Sequence, residues 1–191
     1  MSVTGRVAAF ALELNSRDLP ERVRSIAGAA ILDTLACGIG GRDERVARAL
    51  REEVVAEGAR PAAAIWGSRE RSSPARAALV NGASAHALDF DDVNWALQGH
   101  PSVPLLPAVL ATAEVSGASG EATLLAFVVG FEVEARLGQA LRVADREVLH
   151  ASITAVDEVA GVGASMECLL QGIESQVATK RVRHAPAHDL A

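Results

Sequence analysis

Pro20-Glu21-Arg22-Val23-Arg24-Ser25-Ile26-Ala27-Gly28-Ala29-Ala30-Ile31-Leu32-Asp33-Thr34-Leu35-Ala36-Cys37 is the stretch that sets the fold class. Val23, Ile26, Ala27, Ala30, Ile31, Thr34 and Leu35 recur at three- and four-residue steps, the spacing of a helix with one face against a core. Gly38, Gly40 and Gly41 follow it and predict its end. Half of the 191 residues are apolar and only 3% are aromatic. A core built from Ala, Val and Leu suits closely packed helices better than strands. The expectation is one all-α, bundle-like domain, since a chain of this length buries roughly 70% of its unfolded surface in a single core.

Working outward, a charged helix is predicted from Glu44 to Glu57, with Val46, Ala49, Leu50 and Val54 on its buried stripe. Residues 61–67, Pro61-Ala62-Ala63-Ala64-Ile65-Trp66-Gly67, are short and bounded by Pro and Gly, and read as an extended piece or a small hairpin arm. Ser73 before Pro74 predicts an N-cap with Pro at the first helical position, opening a helix through Ala77, Val80, Asn81, Ala85 and Leu88. Ser102 with Pro104, and Ser119 with Glu121 and Ala122, signal two further starts. Leu124 to Leu141 is apolar on most faces and reads as a central helix. The helical domain is placed at residues 1–178. Residues 179–191, which gather Lys180, Arg181, Arg183, His184 and His188 without apolar period, are expected to form a disordered tail.

The net charge of −6 argues against nucleic acid as a partner, because such surfaces carry a basic patch that displaces counterions. Cys37 and Cys168 are the only cysteines, which fits a reducing compartment without disulfides. The run from Val7 to Leu12 ends at Glu13, short of a signal-peptide core, and Ala122 to Phe131 is shorter than the roughly 20 residues a span needs. The expectation is a soluble, cytoplasmic protein with no membrane partner.

The richest chemistry lies in Asn81-Gly82-Ala83-Ser84-Ala85-His86-Ala87-Leu88-Asp89-Phe90-Asp91-Asp92, followed by Gly99-His100-Pro101-Ser102. If the helix continues past His86, then His86, Asp89 and Asp92 share one side and Asp91 points elsewhere. Clustered carboxylates raise one another's pKa, and an imidazole exchanges protons near neutrality, so the group suits acid and base work. The bland alternative makes Asp91 and Asp92 caps of the following loop and His86 a satisfied core histidine. Asp89-x-Asp91-Asp92 alone also suits Mg²⁺ and diphosphate, but the scarcity of aromatics disfavours a carbocation pocket.

The series from Asn81 to Asp92, Gly99 to Ser102, Gly117 to Gly120, and Gly130-Phe131-Glu132-Val133 with Arg136, together with Leu32 to Cys37 and Trp66-Gly67 upstream, resembles the MmgE/PrpD family in order and spacing over about residues 5 to 150. The resemblance implies a helical domain that full-length members join to a smaller α+β lid, with dimers the usual assembly. It implies metal-independent, cofactor-free lyase chemistry beside a carboxylate of a small di- or tricarboxylic acid, 2-methylcitrate dehydratase-like, with cis-aconitate decarboxylase or epimerase activity as alternatives. It assigns His100 to proton transfer, Asp89 to orienting it or binding substrate, and His150 to a second catalytic position. His86, Asp92 and Ser102 are expected on the substrate side.

The sequence departs from the family pattern in four ways. Val93 stands where Thr is common, the loop to His100 is about one residue longer, and Ile153, Val156, Asp157 and Glu158 replace a small, Gly- and Thr-rich stretch after His150. The family's lysines match nothing here, and no Lys or Arg occurs between Arg76 and Arg136. A homodimer, or a partner supplying a C-terminal part, is the expected assembly. A non-catalytic helical module awaiting such a partner is the rival reading.

Overall fold

The computed structural model describes residues 2–146. It is helical, in line with the all-α expectation, with six α-helices: α1 (Val3–Glu13), α2 (Glu21–Gly41), α3 (Arg45–Ala56), α4 (Pro74–His86), α5 (Ser102–Ser116) and α6 (Gly120–Arg146). The arm foreseen at 61–67 is real but minimal. Strand β1 (Ala63–Ala64) pairs antiparallel with β2 (Arg71–Ser72), placing Ala63 opposite Ser72 and Ala64 opposite Arg71. His150, Cys168 and the expected tail lie outside the described residues.

Helix α4 is the hub, packing on α2, α3, α5 and both strands. One core cluster joins Val23, Ala27 and Ala30 of α2 to Leu106 of α5 and to Phe127, Val128 and Phe131 of α6. A second joins Val54 of α3, Ala63 and Ile65 of the arm, Ala77 and Val80 of α4, and Ala111 of α5. On α3, Val54 is buried as expected, but Ala47 takes the inward place given to Val46 and Ala49, which are exposed. A long apolar helix need not be a span. By length and composition α2 could cross a membrane, but its Val23, Ala27 and Ala30 face is built into the core.

The glycines after Cys37 do not end α2, which runs on to Gly41. A methyl group at Gly38 would sit 2.6 Å from the Trp66 ring, and one at Gly41 would sit 2.1 Å from the Ser84 carbonyl oxygen. These residues are absent side chains where the arm and α4 press on α2, rather than a stop signal. Pro107 lies inside α5 and cannot donate to the carbonyl of Val103. That carbonyl rests over Gly82, where a methyl group would meet it at 3.0 Å.

Side-chain hydrogen bonds fasten the arm. Asn81, buried in α4, donates from Nδ2 to the Ala64 carbonyl at 2.9 Å and accepts from the Trp66 amide at 2.8 Å. From α5, Glu114 accepts from the Ala64 amide at 3.1 Å and from Arg71 at 2.8 Å.

Candidate active site

Helix α4 ends at His86 instead of continuing through Asp92. The Asp89 amide still donates to the His86 carbonyl at 3.0 Å, but Asp89 itself adopts φ +52°. This left-handed conformation is one that short polar side chains tolerate, and it turns the chain out of the helix. The expected shared face of His86, Asp89 and Asp92 is therefore not formed.

Asp91 takes the central place that the helical reading denied it. Its carboxylate is fully buried, and both oxygens lie 3.1 Å from Nδ1 of His86. Oδ2 is also 2.9 Å from Nδ1 of His100. The second contact is at ion-pair distance but off the N–H axis, so His100 Nδ1 is buried without an aligned hydrogen bond. The two imidazole rings meet edge to face, with centroids 4.8 Å apart. Nε2 of His100 points the other way, 3.7 Å from Oδ1 of the largely exposed Asp89.

A small closed loop delivers His100. Asn94 and Gly99 bridge antiparallel, the Asn94 amide donating to the Gly99 carbonyl at 2.9 Å. The Asn94 side chain accepts from the amides of Ala96 and Leu97 at 2.8 and 2.9 Å, an Asx-type turn. The loop leans on α6 at Gly138, where a methyl group would meet the Leu97 Cα at 2.4 Å.

Asp92 and Ser102 form a clamp beneath this loop. The Ser102 amide donates to Asp92 Oδ1 at 3.0 Å and its hydroxyl to Oδ2 at 2.6 Å, both groups being buried. Ser102 is the first residue of α5 and Pro101 the N-cap, which has no capping side chain. Asp92 thus supplies from a distance the acceptor that a helix N-terminus requires.

Burial pushes the Asp92 carboxyl above its ordinary value, against the Ser102 hydrogen bonds and with help from Asp91 and Asp33. On α6, burial and the Asp92 charge push Glu134 up to about 7. Glu132 is also raised by burial, while its 2.7 Å bond to Arg136 opposes the shift. The floor of the site is lined by carboxyl groups that burial pushes toward their neutral form, one of them paired with Arg136.

His86, Asp89 and His100 are thus brought together, with Asp91 as the member that sequence reasoning missed. Asp92 and Ser102 are turned to each other beneath them. The available signal for Asp91 was its place in the Asp89-Phe90-Asp91-Asp92 run, whose Asp89 turns the chain so that Asp91 is buried while Asp89 stays exposed.

The family profile of the MmgE/PrpD N-terminal domain matches residues 5–185. The chain belongs to the MmgE/PrpD family. A cis-aconitate decarboxylase-like protein of Aspergillus oryzae is 35% identical over 155 residues, covering 75% of this chain and 31% of that protein. Human cis-aconitate decarboxylase is 36% identical over 141 residues, 71% of this chain and 29% of the enzyme. The enzyme of Aspergillus terreus is 24% identical across 95% of this chain and 42% of its own length. The chain spans roughly a third of these MmgE/PrpD relatives.

Proposed function

We propose that this chain forms the helical part of a lyase that decarboxylates a small unsaturated tricarboxylic acid of the cis-aconitate kind. The observation that carries the reading is the Asp91 carboxylate buried between two imidazoles, with His100 Nε2 left facing Asp89. The names of the relatives favour decarboxylation over the 2-methylcitrate dehydration expected from the sequence.

A buried carboxylate beside one ring nitrogen holds the imidazole in place by charge, leaving the other nitrogen to handle the proton. In decarboxylation the bond to the departing carboxylate carbon breaks, CO2 leaves, and its electron pair stays on the remaining carbon skeleton. His100 then returns one proton to that carbon and is reprotonated from solvent through exposed Asp89. The stretch between Arg76 and Arg136 brings no Lys or Arg, so the substrate carboxylates require cations from other segments or from a partner. A cytoplasmic homodimer acting on this soluble acid completes the proposal.

The test is an assay of the purified chain with cis-aconitate and, separately, 2-methylcitrate, following acid consumption and CO2 release. Turnover of cis-aconitate that falls about 100-fold or more in His100→Ala, in the range of lost acid–base catalysis, supports the reading. Turnover indifferent to that substitution overturns the assigned role, and turnover of 2-methylcitrate alone restores the dehydratase. A folded chain inactive on both acids favours the non-catalytic module awaiting a partner.

A further inference from the structure

The geometry points to a second capacity of the same residues: His86, Asp91 and His100, with Asp89, form a binding site for a divalent transition-metal ion of the zinc class, whose occupancy blocks the proton path. The inhibition part rests on the proposed function, whereas the binding part does not.

Four donor atoms, one from each residue, lie within 4.8 Å of one another. In a tetrahedral site with bonds of about 2.0–2.1 Å, neighbouring donors sit roughly 3.3 Å apart. The separations from Asp91 to the two Nδ1 atoms, 3.1 and 2.9 Å, already approach that spacing. Those two edges need little change, and the remaining donor separations, all within 4.8 Å, must close by up to about 1.5 Å. Asp89 is more than three-quarters exposed and lies at the turn beyond α4, so its carboxylate has room to swing in as the fourth donor.

The donor set selects the ion. Two imidazole nitrogens and two carboxylates suit Zn²⁺ and its transition-metal neighbours, whereas Mg²⁺ and Ca²⁺ prefer oxygen alone. Buried Nδ1 of His100, with no aligned hydrogen bond and a carboxylate oxygen 2.9 Å away, is placed as a ligand nitrogen would be. Residues 77–135 contribute no Lys or Arg to compete with an ion for these donors. Half-exposed His86 leaves an entry path. A bound ion would occupy the space between the imidazoles and Asp91, replacing the contact that orients His100.

The experiment is calorimetric titration of the chelator-treated chain with zinc chloride, and with magnesium chloride for comparison. One zinc per chain at micromolar or tighter affinity, weakened at least about tenfold in His86→Ala, is expected, with no magnesium binding. His86 is half exposed, so this variant should fold; circular dichroism checks that it does. A His184→Ala/His188→Ala double variant separates the tail, and should bind zinc as the parent does. Failure to bind zinc, or binding indifferent to His86→Ala, overturns the inference. Zinc binding without turnover of either acid would count against the lyase reading alone; turnover without zinc binding would count against the metal site alone.

Discussion

Two glycines of one helix should respond to the same substitution with opposite signs. In Gly41→Ala the new methyl group would stand 2.1 Å from the Ser84 carbonyl oxygen and 3.2 Å from the Ala87 methyl group. Relief requires α2 and the end of α4 to part by about 1.4 Å, because unstrained heavy-atom contacts lie near 3.5 Å. Overpacking of this kind costs about 1–3 kcal/mol, and the backbone nature of the obstacle puts Gly41→Ala at the upper end. Gly28 lies in the interior of α2 with nothing within 4 Å of its added methyl, so Gly28→Ala should gain up to about 1 kcal/mol of helix propensity. At about 2–4 °C per kcal/mol for a domain of this size, the melting temperature should fall by roughly 5–10 °C in the first variant and rise by about 2–4 °C in the second. Thermal unfolding followed by far-UV circular dichroism reads both. Equal shifts, or a Gly41→Ala variant as stable as the parent, would refute the view that Gly41 is there for helix contact.

Two further outcomes are expected. Glu134, raised from its ordinary value to about 7, favours the folded state when protonated, so its contribution is fully present below about pH 4.5 and is lost as pH rises through 7. In urea titrations across that window, Glu134→Gln should flatten the decline and leave the protein more stable than the parent at pH 8; an unchanged slope would remove Glu134 as its source. Asp92→Asn keeps an acceptor for the Ser102 amide and should change stability little, whereas Asp92→Ala orphans that amide and should cost about 2–3 kcal/mol; equal urea midpoints for the two would show that the clamp contributes nothing.

What the sequence made legible follows from where the physics is local. The starts of α4 and α6 could be read because Ser73-Pro74 and Ser119 carry their signals within one turn, and the Ala122 amide does donate to the Ser119 hydroxyl. The end of α2 was misread because a glycine that terminates a helix and one that admits a neighbouring helix look alike until the neighbour is placed. The end of α4 was also missed, since Asp89 rather than Gly takes the positive φ. That error carried into the site: a helix past His86 would turn Asp91 away, while the actual turn buries it between the imidazoles. Helix α1 was not anticipated either; it buries none of its side chains among those described and leaves only a weak apolar period.

The loop that presents His100 is closed twice, once by the Asp92–Ser102 clamp and once by the Asn94–Gly99 bridge. Its tip, Trp95 to Gln98, is folded on the Asn94 side chain and rests at Leu97 against Gly138 of α6. A change of length within the tip must keep the Asn94 turn and the Leu97 contact with α6, and the fastened ends then hold the register of His100 against Asp91. The roughly one-residue excess between Asp91 and His100 is therefore the kind of variation such a double closure absorbs, and the tip is the place where this surface can diversify its reach over the site while the proton-handling pair stays in step.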